Sequence, residues 1–72
     1  NIMEINEIQA NYRYLIINSN NNEYHIVKTE RNVSEILQNN YNISVSHMYI
    51  RRNLTNITGY ILEDGILIKK LW

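Results

Sequence analysis

Cysteine is absent from this 72-residue chain, so no disulfide or thiolate-held metal can staple it. Net charge is absent too. Seven Lys and Arg balance seven Asp and Glu, which argues against a strong nonspecific polyanion binder. No apolar run approaches the roughly 20 residues that span a bilayer, and acidic Glu4 and Glu7 stand where a secretory leader would place bases. The expectation is an intracellular chain, in the cytoplasm or nucleus of a host, with no membrane partner. Catalytic chemistry is equally thin. His25 and His47 fall on different predicted elements, no Cys nucleophile exists, and neither a His-x-x-x-His pair nor clustered carboxylates mark a metal. A domain of this size has little room for a deep pocket, so no enzyme, cofactor or metal site is expected.

What the chain has in quantity is Ile and Asn, thirteen of each. Seventy-two residues make one domain, near the lower limit at which an apolar core holds unaided. Aliphatic burial must therefore supply the stability, with dimerisation or a larger parent chain as natural ways to complete it. Ile and Tyr favour strands, because β-branched and aromatic side chains pack well on a pleated surface. The Asn excess fits an A/T-rich coding genome of the kind found in viruses and mobile elements. It also makes the four Asn-x-Ser/Thr sequons, at Asn32, Asn42, Asn53 and Asn56, unremarkable by chance.

Residues 1–11, with Ile2, Ile5 and Ile8 at three-residue spacing, form an N-terminal arm or short helix. From Tyr12 to Ile17 the pattern alternates: Tyr12, Tyr14 and Ile16 on one face, Arg13, Leu15 and Ile17 on the other. The Asn18–Asn22 run makes a turn, since Asn tolerates left-handed angles and bonds its own backbone. Glu23 to Lys28 gives the second strand of a first hairpin, spanning 12–28. Thr29-Glu30-Arg31 links it to a helix from Val33 to about Asn40, with Ile36 and Leu37 inward. Asn32 is the expected cap and Glu35 its reciprocal partner. Asn39 to Asn42 break this helix, and Ile43 plugs the turn. Ser44 caps a second helix, about Val45 to Asn53, with Met48 and either Val45 or Tyr49 as core contacts. The clearest hairpin signal occupies 59–72, where Asp64-Gly65 suits a two-residue type I′ turn. That register pairs Leu62 with Leu67 and Ile61 with Ile68, and sets Lys69 beside Tyr60. The expected fold class is α+β: two β-hairpins flanking a helix-turn-helix at 32–53, in the order β-β-α-α-β-β.

The stretch Asn42 to Arg52 carries the only distinctive chemistry. It has the form of the turn and second helix of a helix-turn-helix, which lays one helix in the DNA major groove. Ser44, Ser46, His47, Tyr49, Ile50, Arg51 and Arg52 are its candidate contacts: the Ser and His side chains at the N-terminal end would meet base edges, and Arg51 and Arg52 would meet phosphates or guanine. Lys69 and Lys70 would touch the flanking backbone as a wing does. Charge is uneven along the chain in a compatible sense: five acids against three bases over 1–43, four bases against two acids over 44–72. The pieces Tyr14-Leu15-Ile16-Ile17, Asn32-Val33-Ser34-Glu35-Ile36-Leu37, Ile43-Ser44-Val45-Ser46-His47-Met48 and Gly59-Tyr60-Ile61-Leu62 resemble the small nuclease-associated modular DNA-binding domains found beside homing endonucleases. The similarity covers roughly residues 12–63. The Asp64-Gly65 turn and last strand continue past it, and no nuclease motif accompanies it. The resemblance implies sequence-directed binding to double-stranded DNA, in a regulatory or targeting role, without cleavage.

Each of these residues also has a plainer reading. Ser44 is a helix cap, His47 and Tyr49 are surface residues, and Arg51 and Arg52 favour a helix C-terminus. Paired lysines at a strand end more often protect an edge from aggregation, the role favoured for Lys69 and Lys70. Tyr12, Tyr14 and Tyr24 form a cross-strand cluster over the core more readily than a platform for unpaired bases. The rival function is a protein-interaction or homodimerisation module acting through strand edges and apolar surface, with Leu71-Trp72 covering a partner.

Overall fold

The computed structural model describes residues 12–72; the expected arm at 1–11 lies outside the described residues. Four strands and two helices follow in the expected α+β order, β-β-α-α-β-β. Strands β1 (Tyr14–Asn18) and β2 (Glu23–Val27) form the first hairpin. Helices α1 (Glu30–Tyr41) and α2 (His47–Asn53) follow, and β3 (Tyr60–Glu63) and β4 (Ile66–Lys70) close the chain. The hairpins do not flank the helices separately. β1 pairs antiparallel with β4, giving one four-stranded sheet in the order β2-β1-β4-β3.

Alternation decides which side of that sheet is covered. Tyr14 and Ile16 of β1, Ile66 and Ile68 of β4 and Ile61 of β3 point inward and are buried. They meet Val33 and Leu37 of α1 and Ile50 and Leu54 from α2 and its end. A helix presents residues three and four apart on one face, so Val33, Ile36, Leu37 and Tyr41 form a single stripe on α1. The other face of the sheet carries Leu15, Ile17, Tyr24, Ile26, Tyr60, Leu62 and Leu67, and both helices lie away from it. Tyr24, Tyr60 and Leu62 stay more than half exposed there. Tyr14 and Tyr24 therefore sit on opposite faces, and the expected tyrosine cluster does not form.

Local chemistry fixes the ends of the elements. Asp64 and Gly65 both take positive φ, at 50° and 80°, as a type I′ turn demands. The expected pairs Ile61–Ile68, Leu62–Leu67 and Tyr60–Lys69 follow. The two hairpin turns are tied to each other: Ser19 donates to the Gly65 carbonyl from both its amide, at 3.0 Å, and its hydroxyl, at 2.7 Å. Helix α1 begins earlier than the sequence pattern implied. Thr29, not Asn32, is its cap, and the Thr29 hydroxyl accepts from the Asn32 amide at 3.1 Å. The supposed link Glu30-Arg31 is thus the first helical turn, where Glu30 complements the positive end of the helix. Asn42 ends α1 in the left-handed region at φ 55°, a conformation that Asn tolerates better than bulkier residues.

Position on this sheet separates two neighbouring aliphatics. Ile16 is wholly buried at the sheet centre, whereas adjacent Leu15 faces the side away from the helices. Ile16→Ala should cost about 3 kcal/mol, a large share of the roughly 4–10 kcal/mol expected for a domain of this length. Leu15→Ala should cost roughly 1 kcal/mol. Urea midpoints at unchanged m-value check the contrast; equal losses at the two positions would contradict the assignment of faces.

Candidate nucleic-acid interface

The second helix is shorter than its sequence implied and starts later. Ser46 is its cap, its hydroxyl accepting from the Tyr49 amide at 3.1 Å. Ser44 is an exposed loop residue, and Val45 leans on the core. The loop is held where Ser34 of α1 donates to the Val45 carbonyl, which takes the place of helical pairing there. Seven residues leave α2 about 10 Å long. Its core contact is Ile50, fully buried, which removes it from the expected groove residues. Met48, expected in the core, is 42% exposed; of the alternatives Val45 and Tyr49, Val45 packs against the core and Tyr49 is 49% exposed. At 100° per residue, the side opposite Ile50 carries Met48 and Arg52.

The remaining candidates divide between two clefts on either flank of α2. On one flank, Ser44, Ser46 and Tyr49 line a cleft of about 520 Å³ with Glu63 and Asp64. Two carboxylates beside the supposed base-reading serines oppose a phosphate backbone. The second cleft, about 450 Å³, is lined by Arg13, Lys28, Thr29, Glu30, Arg31, His47 and Arg51. Among these lining residues, four fixed cations against one carboxylate leave an excess of positive charge. His47 and Arg51, one turn apart on α2, are brought together here with three bases that the sequence pattern did not single out. The trace of Arg13, Lys28 and Arg31 in the sequence is slight: bases on both sides of a Thr cap, and one just ahead of the first strand.

Strand pairing explains the sorting of charge. The Tyr14 end of β1 lies beside Val27 and Lys70, bringing Arg13, Lys28, Lys69 and Lys70 to one end of the sheet. Asn18 lies beside Glu23 and Ile66, and the Asp64 turn packs against Ser19 and Asn20, so Glu23, Glu63 and Asp64 share the other end. Lys69 is on the face away from the helices, its ammonium donating to the Ile57 carbonyl at 2.7 Å. Lys70 lies opposite Tyr14 on the helix side. The two lysines therefore lie on opposite faces of the sheet, and Lys69 does not share a face with His47 and Arg51.

Arg51 is committed within the fold. Its Nε lies 3.0 Å from Glu30 Oε1, the carboxylate being nearly buried and the arginine mostly exposed. Burial pushes the Glu30 carboxyl up. Hydrogen bonds from the Tyr14 phenol, from Arg51 and from its own backbone amide outweigh that and hold it below the usual carboxylate range. The same contact, after burial itself, raises the Tyr14 phenol to about 12. Tyr14, Glu30 and Arg51 thus join β1, α1 and α2 through one carboxylate. His25 is remote from this group, sharing a 3.0 Å hydrogen bond with the Tyr41 hydroxyl. At the chain end, Trp72 donates from Nε1 to the Tyr12 carbonyl at 2.8 Å, and Arg13 stacks 4.8 Å above its ring.

Among the described residues no group of three His, Cys, Asp or Glu could hold a metal, and no helix is long and apolar enough to cross a membrane. No family model matches the chain, and neither curated proteins nor solved structures give a significant match.

The lowered Glu30 pKa has a definite sign for stability. Its ionised form is favoured in the folded state, so its contribution is complete above the ordinary carboxylate value and is lost as pH falls through the folded value. Thermal midpoints should hold steady from neutral pH to about 5 and then decline. Glu30→Gln should lower the neutral-pH stability by roughly 1–2 kcal/mol, since Arg51 is mostly in water, and should flatten the acid decline. An equally steep decline in the variant would remove Glu30 from this role.

Proposed function

We propose that this chain is a small DNA-binding domain in which the exposed side of α2 enters the major groove and the cationic end of the sheet meets the backbone. The observation that carries the reading is the gathering of Arg13, Lys28, Arg31, His47 and Arg51 along one flank of α2. A chain of zero formal charge thereby acquires a local positive surface of the kind that phosphate contacts require. Met48 and Arg52 stand outward on α2, free of the core, with apolar and guanidinium groups suited to a thymine methyl and a guanine edge. Ser44 and Ser46 are assigned no base contact, because Glu63 and Asp64 share their cleft. The resemblance to nuclease-associated modules belongs to the same proposal, as binding without cleavage.

Fluorescence anisotropy with a labelled duplex of random sequence tests it. Affinity should fall steeply between about 50 and 200 mM salt. Arg31→Ala should weaken binding and reduce the salt slope by about 1, while Ser44→Ala should leave both unchanged. Binding unaffected by Arg31→Ala, or affinity insensitive to salt, would reject the reading.

A second reading, self-association, is favoured by one observation: the sheet face away from the helices exposes Tyr24, Tyr60 and Leu62 beside Leu15, Ile17 and Leu67. The fitting occupant is a second copy, because a single short helix reads few bases and a dimer supplies two. Light scattering across a concentration series should show a dimer that Leu62→Glu abolishes. A monomer at every concentration would exclude it.

A further inference from the structure

We propose that the cleft framed by Arg13, Lys28, Arg31, His47 and Arg51 is a binding site for a single phosphate group. The DNA reading enters only as one source of that group: a backbone phosphodiester is one, and a free phosphate monoester is the other.

The argument rests on which groups in the cleft are already used. The carboxylate of Glu30 is taken up by Tyr14 and by Arg51 Nε, and little of it is exposed. It neutralises one cation of four. Arg51 is engaged through Nε alone, with its side chain 65% exposed, so its terminal amino groups remain for a ligand. Lys28 and Arg31 are exposed on either side of Thr29 and form no salt bridge among the described residues. Arg13 is held in place by stacking on Trp72, and its Nε is buried without a hydrogen-bond partner among the described residues. A buried donor left without an acceptor is costly. An anion in the cleft would supply acceptors to this cluster.

Like charges assembled without counter-charges destabilise a fold by mutual repulsion. Here they come from four separate places: the start of β1, the end of β2, the first turn of α1 and α2. The cluster is thus a product of tertiary structure and not a solvated run along the chain. Guanidinium groups offer forked donors that match phosphate oxygens, and a lysine adds a point charge. The volume, about 450 Å³, leaves room for the phosphate together with the sugar or other group that it esterifies. The cleft on the other flank of α2, carrying Glu63 and Asp64, lacks this chemistry and serves as an internal comparison.

Amide NMR of the full chain, titrated first with inorganic phosphate and then with duplex DNA, tests the site. Phosphate should move the amides of Lys28, Thr29, Arg31 and His47 and leave Ser44, Glu63 and Asp64 in place. The double variant Lys28→Glu with Arg31→Glu alters two exposed side chains, so its thermal midpoint should stay near that of the parent chain. Its phosphate affinity should drop on the order of tenfold. If DNA displaces phosphate and the double variant loses both, the source is the duplex backbone and both proposals stand. If phosphate binds in the cleft and DNA does not displace it, the site stands with a monoester as ligand, and the DNA reading fails. If phosphate moves no cleft amide while DNA binds the parent chain and is weakened in the double variant, the single-phosphate site is overturned and the DNA reading survives. If DNA binds parent and double variant alike, the site and the cationic-end reading both fail. If neither probe binds, both are overturned.

Discussion

The antiparallel pairing of β1 with β4 is the constraint on which the rest of this structure depends. It joins residues near the start of the described chain to its last strand, closing a long loop at an entropic cost that only burial can offset. Ile16 and Ile68 meet at the centre of that ladder, both wholly buried. Without it, two hairpins would remain, each marginal alone in water. With it, one sheet has a covered face and a bare one, and both helices find a common floor.

The same pairing accounts for the electrostatics. Bases drawn from both ends of the first hairpin and from the last strand come to one end of the sheet, and acids from both hairpins come to the other. A single carboxylate, Glu30, then links sheet, first helix and second helix through Tyr14 and Arg51. The cost of burying it is met by hydrogen bonds at the helix start, where the backbone also favours negative charge. Structure and candidate function meet at this carboxylate, because it fixes Arg51, and the neighbouring bases have no salt bridge among the described residues.

The functional readings follow from how each face of α2 is treated. The core side, Ile50, is used for folding. One flank faces carboxylates and the other faces cations, which is why a phosphate backbone is proposed to approach the cationic flank. The groove-reading part of the proposal therefore rests on Met48 and Arg52, the residues that a helix of seven turns outward. The serines that drew notice in the sequence serve instead as a loop residue and a cap.

The sequence by itself determined the element order, the Asp64-Gly65 turn with its register, and the alternation that buries Tyr14, Ile16, Ile61 and Ile68. These depend on neighbours within a few residues: positive φ at two turn positions, and a period of two along a strand. It misplaced the cap of α1, because Asn32 and Thr29 are both competent and the choice lies with where Val33 and Leu37 must point. It misplaced the core residue of α2 for the same reason, since periodicity alone does not fix the phase of two turns of helix. Only the tertiary structure decided that the hairpins merge, that Arg51 is bound to Glu30, and that Arg13, Lys28 and Arg31 share a cleft with α2. Each of these is a contact between residues far apart in the chain, and no local pattern encodes which distant charges a fold brings together.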